Sequence, residues 1–114
     1  MVNKIRIVRG TTNIFNIVVN DENGAIYKTS NGERVIFGVK RDTDDADFVI
    51  KKEAVFSTDE GAYVVTITPD DTIGCMCGAH VYDVGLEAGA NFFSIIEPSP
   101  FEIEPNVTYR GCTG

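Results

Sequence analysis

Hydrophobic residues recur along this chain with a period of two. In the stretch ERVIFGVKR, Val35, Phe37 and Val39 fall on one face, and the residues between them fall on the other. The same alternation appears in NIFNIVVN, GAYVVTITP and AHVYDVGLE, and these runs are rich in valine, isoleucine, phenylalanine, tyrosine and threonine. Such alternation predicts half-buried β-strands. No long stretch keeps the 3.6-residue period of a helix.

Turn signals separate these runs. NDENG and SNGER carry Asn-Gly pairs, which supply the positive φ of tight turns at low cost. The Pro-Asp-Asp of TPDDTIG predicts one short helical turn near 69–74. We therefore predict an all-β fold, an immunoglobulin-like antiparallel β-sandwich of about seven to eight strands. We expect one domain over residues 1–108 and a flexible C-terminal tail at 109–114.

Composition and charge narrow the range of partners. The chain has 114 residues, enough for one domain, and a net charge of −7. An acidic surface argues against nucleic acid, whose binding depends on lysine and arginine, and against an anionic membrane surface. The N-terminal MVNKIRIVRG lacks the apolar core of a signal peptide, and no apolar run is long enough to cross a bilayer. With three cysteines, an odd number, we expect free thiols in a reducing cytoplasm.

The stretch GCMCGAH holds the first candidates for a metal site. Cys75, Cys77 and His80 lie within six positions, but a structural zinc needs four ligands, usually with a Cys-x₂₋₄-Cys pair. The spacing here is one residue too short, and the third cysteine, Cys112, is far along the chain. We therefore predict no metal and no cofactor, and interpret the two cysteines as half-buried thiols at the entrance of a strand.

A second group of candidate ligands is the acidic loop RDTDDAD, residues 41–47. If Asp42 is taken as the first position of a calcium loop, the sixth is Asp47, where a glycine is required. We therefore predict a solvated loop, with weak binding of an ion by several carboxylates as the alternative.

The sequence does not predict an enzyme. His80 is the only histidine, and no motif places a nucleophile and an acid beside it. Asp83 and Glu87 lie on the same strand, where surface placement or a structural hydrogen bond is the usual role of an acid. Five aromatic residues could form a sugar-binding platform: Tyr27, Phe92, Phe93, Tyr63 and Phe101. At alternating strand positions, however, aromatics more often pack in the core or between sheets.

The order of the motifs adds a family resemblance. The ordered pieces are IVRGTTNIFNIVVNDENGAIY, VIFGVKRDTDDADFVIKK, GAYVVTITPDDTIG and HVYDVGLEAGANFFSIIEPSPFEIEPNVT. Together they resemble the small immunoglobulin-like modules of tailed bacteriophages and prophages, and are similar to the N-terminal domain of baseplate upper proteins. The resemblance extends from about Ile7 to Thr108. GCMCG is a departure, because it stands where such modules usually have a stiffer turn.

The resemblance implies a structural role and no catalytic residues. We expect a module that contacts other phage tail or baseplate subunits, or copies of itself, and that is assembled in the bacterial cytoplasm and ends in the virion tail. We assign its contacts to Phe101 and Ile103, because a last strand between two prolines suits a sheet edge. The alternative function is a surface-adhesion or carbohydrate-binding module, which exposed aromatics such as Phe92 or Tyr27 lining a groove would favour.

Overall fold

The computed structural model describes residues 4–30, 32–74 and 77–105. Within them the elements are β1 (Ile5–Val8), β2 (Asn13–Ile17), β3 (Glu33–Lys40), β4 (Ile50–Ser57), β5 (Ala62–Ile67), α1 (Pro69–Ile73), β6 (Gly78–Ala88) and β7 (Asn91–Glu104). The predicted all-β fold with its one short helical turn is confirmed. The predicted tail at 109–114 lies outside the described residues.

The strands follow the order β1-β7-β6-β3-β4-β5-β2. With the strands lettered A to G along the chain, this order contains the C-F-G and D-E-B neighbours of the two sheets of an immunoglobulin sandwich. Because β4 pairs with both β3 and β5, the two halves form one curved sheet that nearly closes. Every pair is antiparallel except β1 with β7, where Ile5 is opposite Phe101 and Ile7 is opposite Ile103.

The core lies between the two halves of the sheet and comes from the predicted alternation. Phe37 is at its centre, with the ring centroids of Tyr82, Phe101 and Phe15 at 5.6, 6.1 and 6.3 Å. Burying one large apolar side chain stabilises a fold by roughly 1.5–3 kcal/mol, so this aromatic group contributes strongly. The largest fully buried apolar residues of the described chain are Tyr63, Phe37, Phe101, Ile67, Ile103, Val35, Val39, Val65 and Val84.

The short helix α1 follows β5 and is bonded to β4 and to the turn after β1. The Asp71 carboxylate accepts a hydrogen bond from the Thr68 backbone N–H (2.7 Å) and lies 2.9 Å from Lys52 Nζ. Partial burial opposes ionisation of Asp71, but the bonds from Thr68 and Lys52 outweigh it and hold the pKa of this carboxyl below its usual range. The buried Thr72 Oγ1 accepts from the Gly10 N–H (2.7 Å), which fixes the β1–β2 turn against the helix.

No helix in the described part of the chain has the length and apolar character that crossing a membrane requires.

Candidate functional site

The predicted metal candidates do not form a site in the described structure. His80 is buried on the inward face of β6, and its Nδ1 lies 3.0 Å from the carbonyl oxygen of Gly78. Cys75 lies outside the described residues. Among the described residues, no three His, Cys, Asp or Glu side chains come together in a group that could hold a metal ion.

The prediction of free thiols is wrong for Cys77, which is disulfide-bonded. The other cysteines of the chain, Cys75 and Cys112, both lie outside the described residues. The prediction was wrong because it rested on the odd number of cysteines. With three cysteines one thiol has no partner within the chain, but the other two can still form a disulfide. Disulfides are uncommon in a reducing cytoplasm, so the cysteines no longer support the prediction that the protein is cytoplasmic.

The acidic loop between β3 and β4 is held by bonds within itself. Asp42 Oδ1 accepts from the Asp44 N–H (3.2 Å), and Asp45 Oδ2 accepts from the Asp42 N–H (3.2 Å). Lys40 Nζ also donates to the Asp45 carbonyl oxygen (2.8 Å). These bonds give Asp42 and Asp45 a structural role, and the described part of the loop offers no cluster of ligands for an ion.

Phe101 and Ile103, predicted as contact residues, are core residues. Both are 0% exposed, and β1 pairs with this half of β7 on the side where the prediction placed a free edge. The assignment is therefore wrong. The prediction assumed that the last strand lies at an edge of the sheet, but β1 pairs with it on that side.

An open pocket of about 200 Å³ lies on the outer face of the sheet, where β3 and β6 run side by side. We call it the aromatic pocket, because two exposed rings, Phe48 and Phe92, belong to its lining. The complete lining is Gly38, Lys40, Thr43, Phe48, Val81, Tyr82, Asp83, Phe92 and Pro98.

Each of the two rings of the aromatic pocket lies against a glycine in a β-strand. A Cβ atom added to Gly38 would lie 2.5 Å from Phe48 Cε1, and one added to Gly85 would lie 2.0 Å from Phe92 Cζ. No real Cβ approaches a ring carbon so closely, so each ring lies directly on bare backbone, as glycine within a strand allows. In the pairing of β3 with β6, Gly38 is opposite Asp83 and Ile36 is opposite Gly85. The two glycines therefore lie in adjacent cross-strand pairs on the same face of the sheet.

The polar groups of the aromatic pocket have opposite charges. Lys40 Nζ lies 4.8 Å from the centroid of the Phe48 ring, within the range of a cation–π contact. Asp83 is half-buried and makes no hydrogen bond or ion pair with another described residue. Desolvation by burial raises the pKa of Asp83, and the charge of Lys40 offsets this only in part.

Replacing Asp83 with asparagine is expected to stabilise the fold at neutral pH. A carboxyl whose pKa is raised on folding destabilises the native state when it is ionised. This destabilisation is fully present above the pKa of the folded state and absent below the unfolded pKa of about 3.9. Urea unfolding should therefore show a higher midpoint for Asp83→Asn at neutral pH and no difference in strongly acidic buffer. An equal change at both pH values would mean that ionisation of Asp83 is not the cause.

A second opening lies where the curved sheet fails to close, between β1 and β2. This opening, which we call the seam, has a volume of about 360 Å³ and reaches the core side chains Phe37, Tyr82 and Val84. Its remaining lining is Ile5, Ile14, Phe15, Asn16, Ile17 and Ile96. The seam is therefore an apolar cleft with a terminal strand of the sheet on each side.

The two strands beside the seam differ in how their edges are protected. Charged side chains in β1 and just before it pair with β7: Arg6 Nε lies 2.9 Å from Glu104 Oε1, and Lys4 Nζ lies 3.4 Å from Glu102 Oε2. β2 has the sequence NIFNI, with no charge and no proline, and pairs only with β5 in the described chain. Since charges and prolines are what usually prevent edge-to-edge pairing, β2 is an unprotected edge.

Sequence reasoning identified part of the aromatic pocket and missed the rest. Of the five aromatics that were predicted for a sugar platform, only Phe92 lines the pocket. Tyr63 and Phe101 are buried in the core, Phe93 is exposed outside the pocket, and Tyr27 donates its hydroxyl to Glu33 (2.7 Å). Sequence reasoning missed Phe48. The signal that could have found this residue was the presence of glycines at the centres of two apolar strands, Gly38 and Gly85, since glycine there often marks close approach of another group.

The chain has no detected relative to supply a function. A scan against protein-family models finds no match, and searches of curated proteins and of solved structures also find none.

Proposed function

We propose that this domain is a structural module that acts by protein–protein contact, through the edge of β2 and the seam beside it. The observation that carries the proposal is the unprotected edge: five residues without charge or proline, next to an apolar cleft. The sequence resemblance supplies the setting, a phage or prophage tail or baseplate. The proposal includes no catalytic step and no cofactor.

A strand from a partner would suit both features of this edge. Its backbone groups would pair with those of β2, and alternate side chains would enter the seam. A cavity of roughly 150 Å³ holds one benzene ring, so the 360 Å³ of the seam has room for more than one apolar side chain. Burial of Ile14, which is 64% exposed, would add to the gain from the backbone bonds.

The simplest partner is a second copy of the chain. Two β2 strands related by a twofold axis would pair antiparallel, so that the same surface is used on both sides. The net charge of −7 opposes this contact. Because surface charges are screened beyond about 8 Å at physiological ionic strength, the dimer should strengthen as salt is added.

Self-association of the purified domain is expected to depend on Ile14 and not on Val55. Ile14 lies at the seam, whereas Val55 lies on β4 with nearly the same exposure, 64% against 66%. A lysine at position 14 would bring a charge to the apolar edge and is expected to weaken dimer formation at least tenfold, because the cost of desolvating that charge exceeds about 1.4 kcal/mol.

The measurement is sedimentation velocity over a series of concentrations for the wild type, Ile14→Lys and Val55→Lys. The proposal predicts a concentration-dependent dimer for the wild type and Val55→Lys, and a monomer for Ile14→Lys. If Val55→Lys abolishes the dimer and Ile14→Lys does not, the contact is on the outer sheet face and the edge proposal is wrong.

A further inference from the structure

The geometry of the aromatic pocket points to a second binding function: a site for one neutral sugar ring. This site is independent of the proposed assembly edge, since Ile14 and the other β2 residues are not part of its lining. The inference rests on the mixture of groups in the pocket, on the seating of its rings and on its size.

The mixture of charges favours a neutral ligand. An anionic ligand would meet the Asp83 carboxylate, and a cationic ligand would meet the Lys40 ammonium. A purely apolar ligand would bury the half-exposed Asp83 carboxylate without giving it a hydrogen-bond donor, which is costly. A hydroxylated ligand avoids all three problems, because each hydroxyl group both donates and accepts.

The polar side chains of the pocket can both accept hydrogen bonds from hydroxyl groups and donate hydrogen bonds to them. The Asp83 carboxylate has free acceptor capacity, since it makes no hydrogen bond or ion pair with another described residue. Lys40 Nζ uses one hydrogen for the Asp45 carbonyl oxygen, and an ammonium carries three donors. Bonds between hydroxyls and charged groups are among the stronger hydrogen bonds, so these two residues are able to orient a ring.

The aromatic rings supply the apolar contact that a sugar ring also needs. The Phe92 ring lies against the backbone at Gly85 and is still 58% exposed, so much of its surface is available to a ligand. Its seat on the glycine fixes the ring, which lowers the entropy cost of stacking a ligand on it. A volume of about 200 Å³ is of the order of one six-membered ring with its substituents, judged by the roughly 150 Å³ that accommodates benzene.

The matched pair Phe92 and Phe93 makes this inference testable. The two residues are neighbours on β7 with similar exposure, 58% and 55%, but only Phe92 lines the pocket. Removing a ring that contacts the ligand is expected to weaken binding about tenfold. Phe92→Ala should therefore lose about tenfold in affinity, and Phe93→Ala should keep the affinity of the wild type.

The experiment is an NMR titration of the labelled full chain with maltotriose, cellotriose and triacetylchitotriose, and with trigalacturonic acid as the charged control. We expect at least one neutral trisaccharide to shift the amide signals of Gly38, Asp83 and Gly85, and the charged one to shift none of them. Asp83→Asn is the second variant, because it retains the fold and weakens binding by loss of the charged acceptor.

The inference is overturned if none of the neutral trisaccharides shifts these signals. It is also overturned if Phe93→Ala weakens binding as much as Phe92→Ala, since the contact would then lie outside the pocket. Neither result bears on the assembly proposal, which is tested at Ile14.

Discussion

Replacing Phe101 with alanine is expected to lower the free energy of unfolding by about 3–5 kcal/mol. The side chain is 0% exposed, and its ring meets those of Phe37 and Tyr82 edge to face at centroid distances of 6.1 and 6.0 Å. Alanine would remove this burial and leave a cavity that the β1 and β6 strands on either side cannot fill by collapsing. Because a domain of this size has a total stability of about 5–15 kcal/mol, the loss would be a large share of it.

The measurement for Phe101→Ala is equilibrium unfolding in urea, and the exposed residue Phe93 provides its control. Phe93→Ala should change the unfolding free energy by no more than about 0.5 kcal/mol, as is usual for surface substitutions. If Phe101→Ala costs no more than Phe93→Ala, the Phe101 ring is not in the core, and the original assignment of this residue to an interface regains its basis.

Replacing Tyr63 with phenylalanine is expected to cost about 1–3 kcal/mol, although the change removes only one oxygen atom. The Tyr63 side chain is buried, and its hydroxyl donates to the Tyr27 carbonyl oxygen (2.8 Å) and accepts from the Thr29 N–H (2.8 Å). These two bonds attach the chain segment before β3 to β5. Without the hydroxyl, a partly buried donor and acceptor lose their partners.

Two measurements on Tyr63→Phe separate a local from a global effect. Thermal unfolding should show a lower midpoint, and hydrogen exchange should show faster exchange at the Thr29 amide than in the wild type. Tyr27→Phe is the control, because the Tyr27 hydroxyl bonds to Glu33 nearer the surface and its loss should cost much less. Equal costs for the two variants would contradict the role given to the Tyr63 hydroxyl.

The strands could be predicted from the sequence because their pattern is local. In β3, Val35, Phe37 and Val39 alternate as they must if one face of a strand is buried, and all three are in the core. The helical turn at α1 was also predictable, since proline and two acids near a helix start are local signals.

The neighbours of each strand could not be predicted in this way. The two prolines on either side of the last predicted strand suggested an edge, but whether a strand is at an edge depends on what pairs with it. Here the partner is β1, and the paired residues Ile5 and Phe101 lie at opposite ends of the sequence. Nothing in the local pattern of either strand encodes a parallel pair of this kind.

The same reason explains what was missed at the candidate sites. Phe48 and Phe92 join one pocket only because β3 pairs with β6 and brings Gly38 and Gly85 onto adjacent rows. The seam likewise exists only because the curved sheet stops short of closure. The lack of charge in NIFNI was visible in the sequence, but its meaning depended on β2 being the last strand of the sheet.

The proposed assembly of this domain through the β2 edge should first be tested by the absolute mass of the wild-type protein in solution. Light scattering should be recorded over a series of concentrations, with and without a reducing agent and a chelator. We expect a mass that rises from the 12.4 kDa monomer toward a dimer with concentration, whether or not either reagent is present. A monomer at every concentration, or a dimer that disappears when the disulfides are reduced or metal is removed, would contradict it.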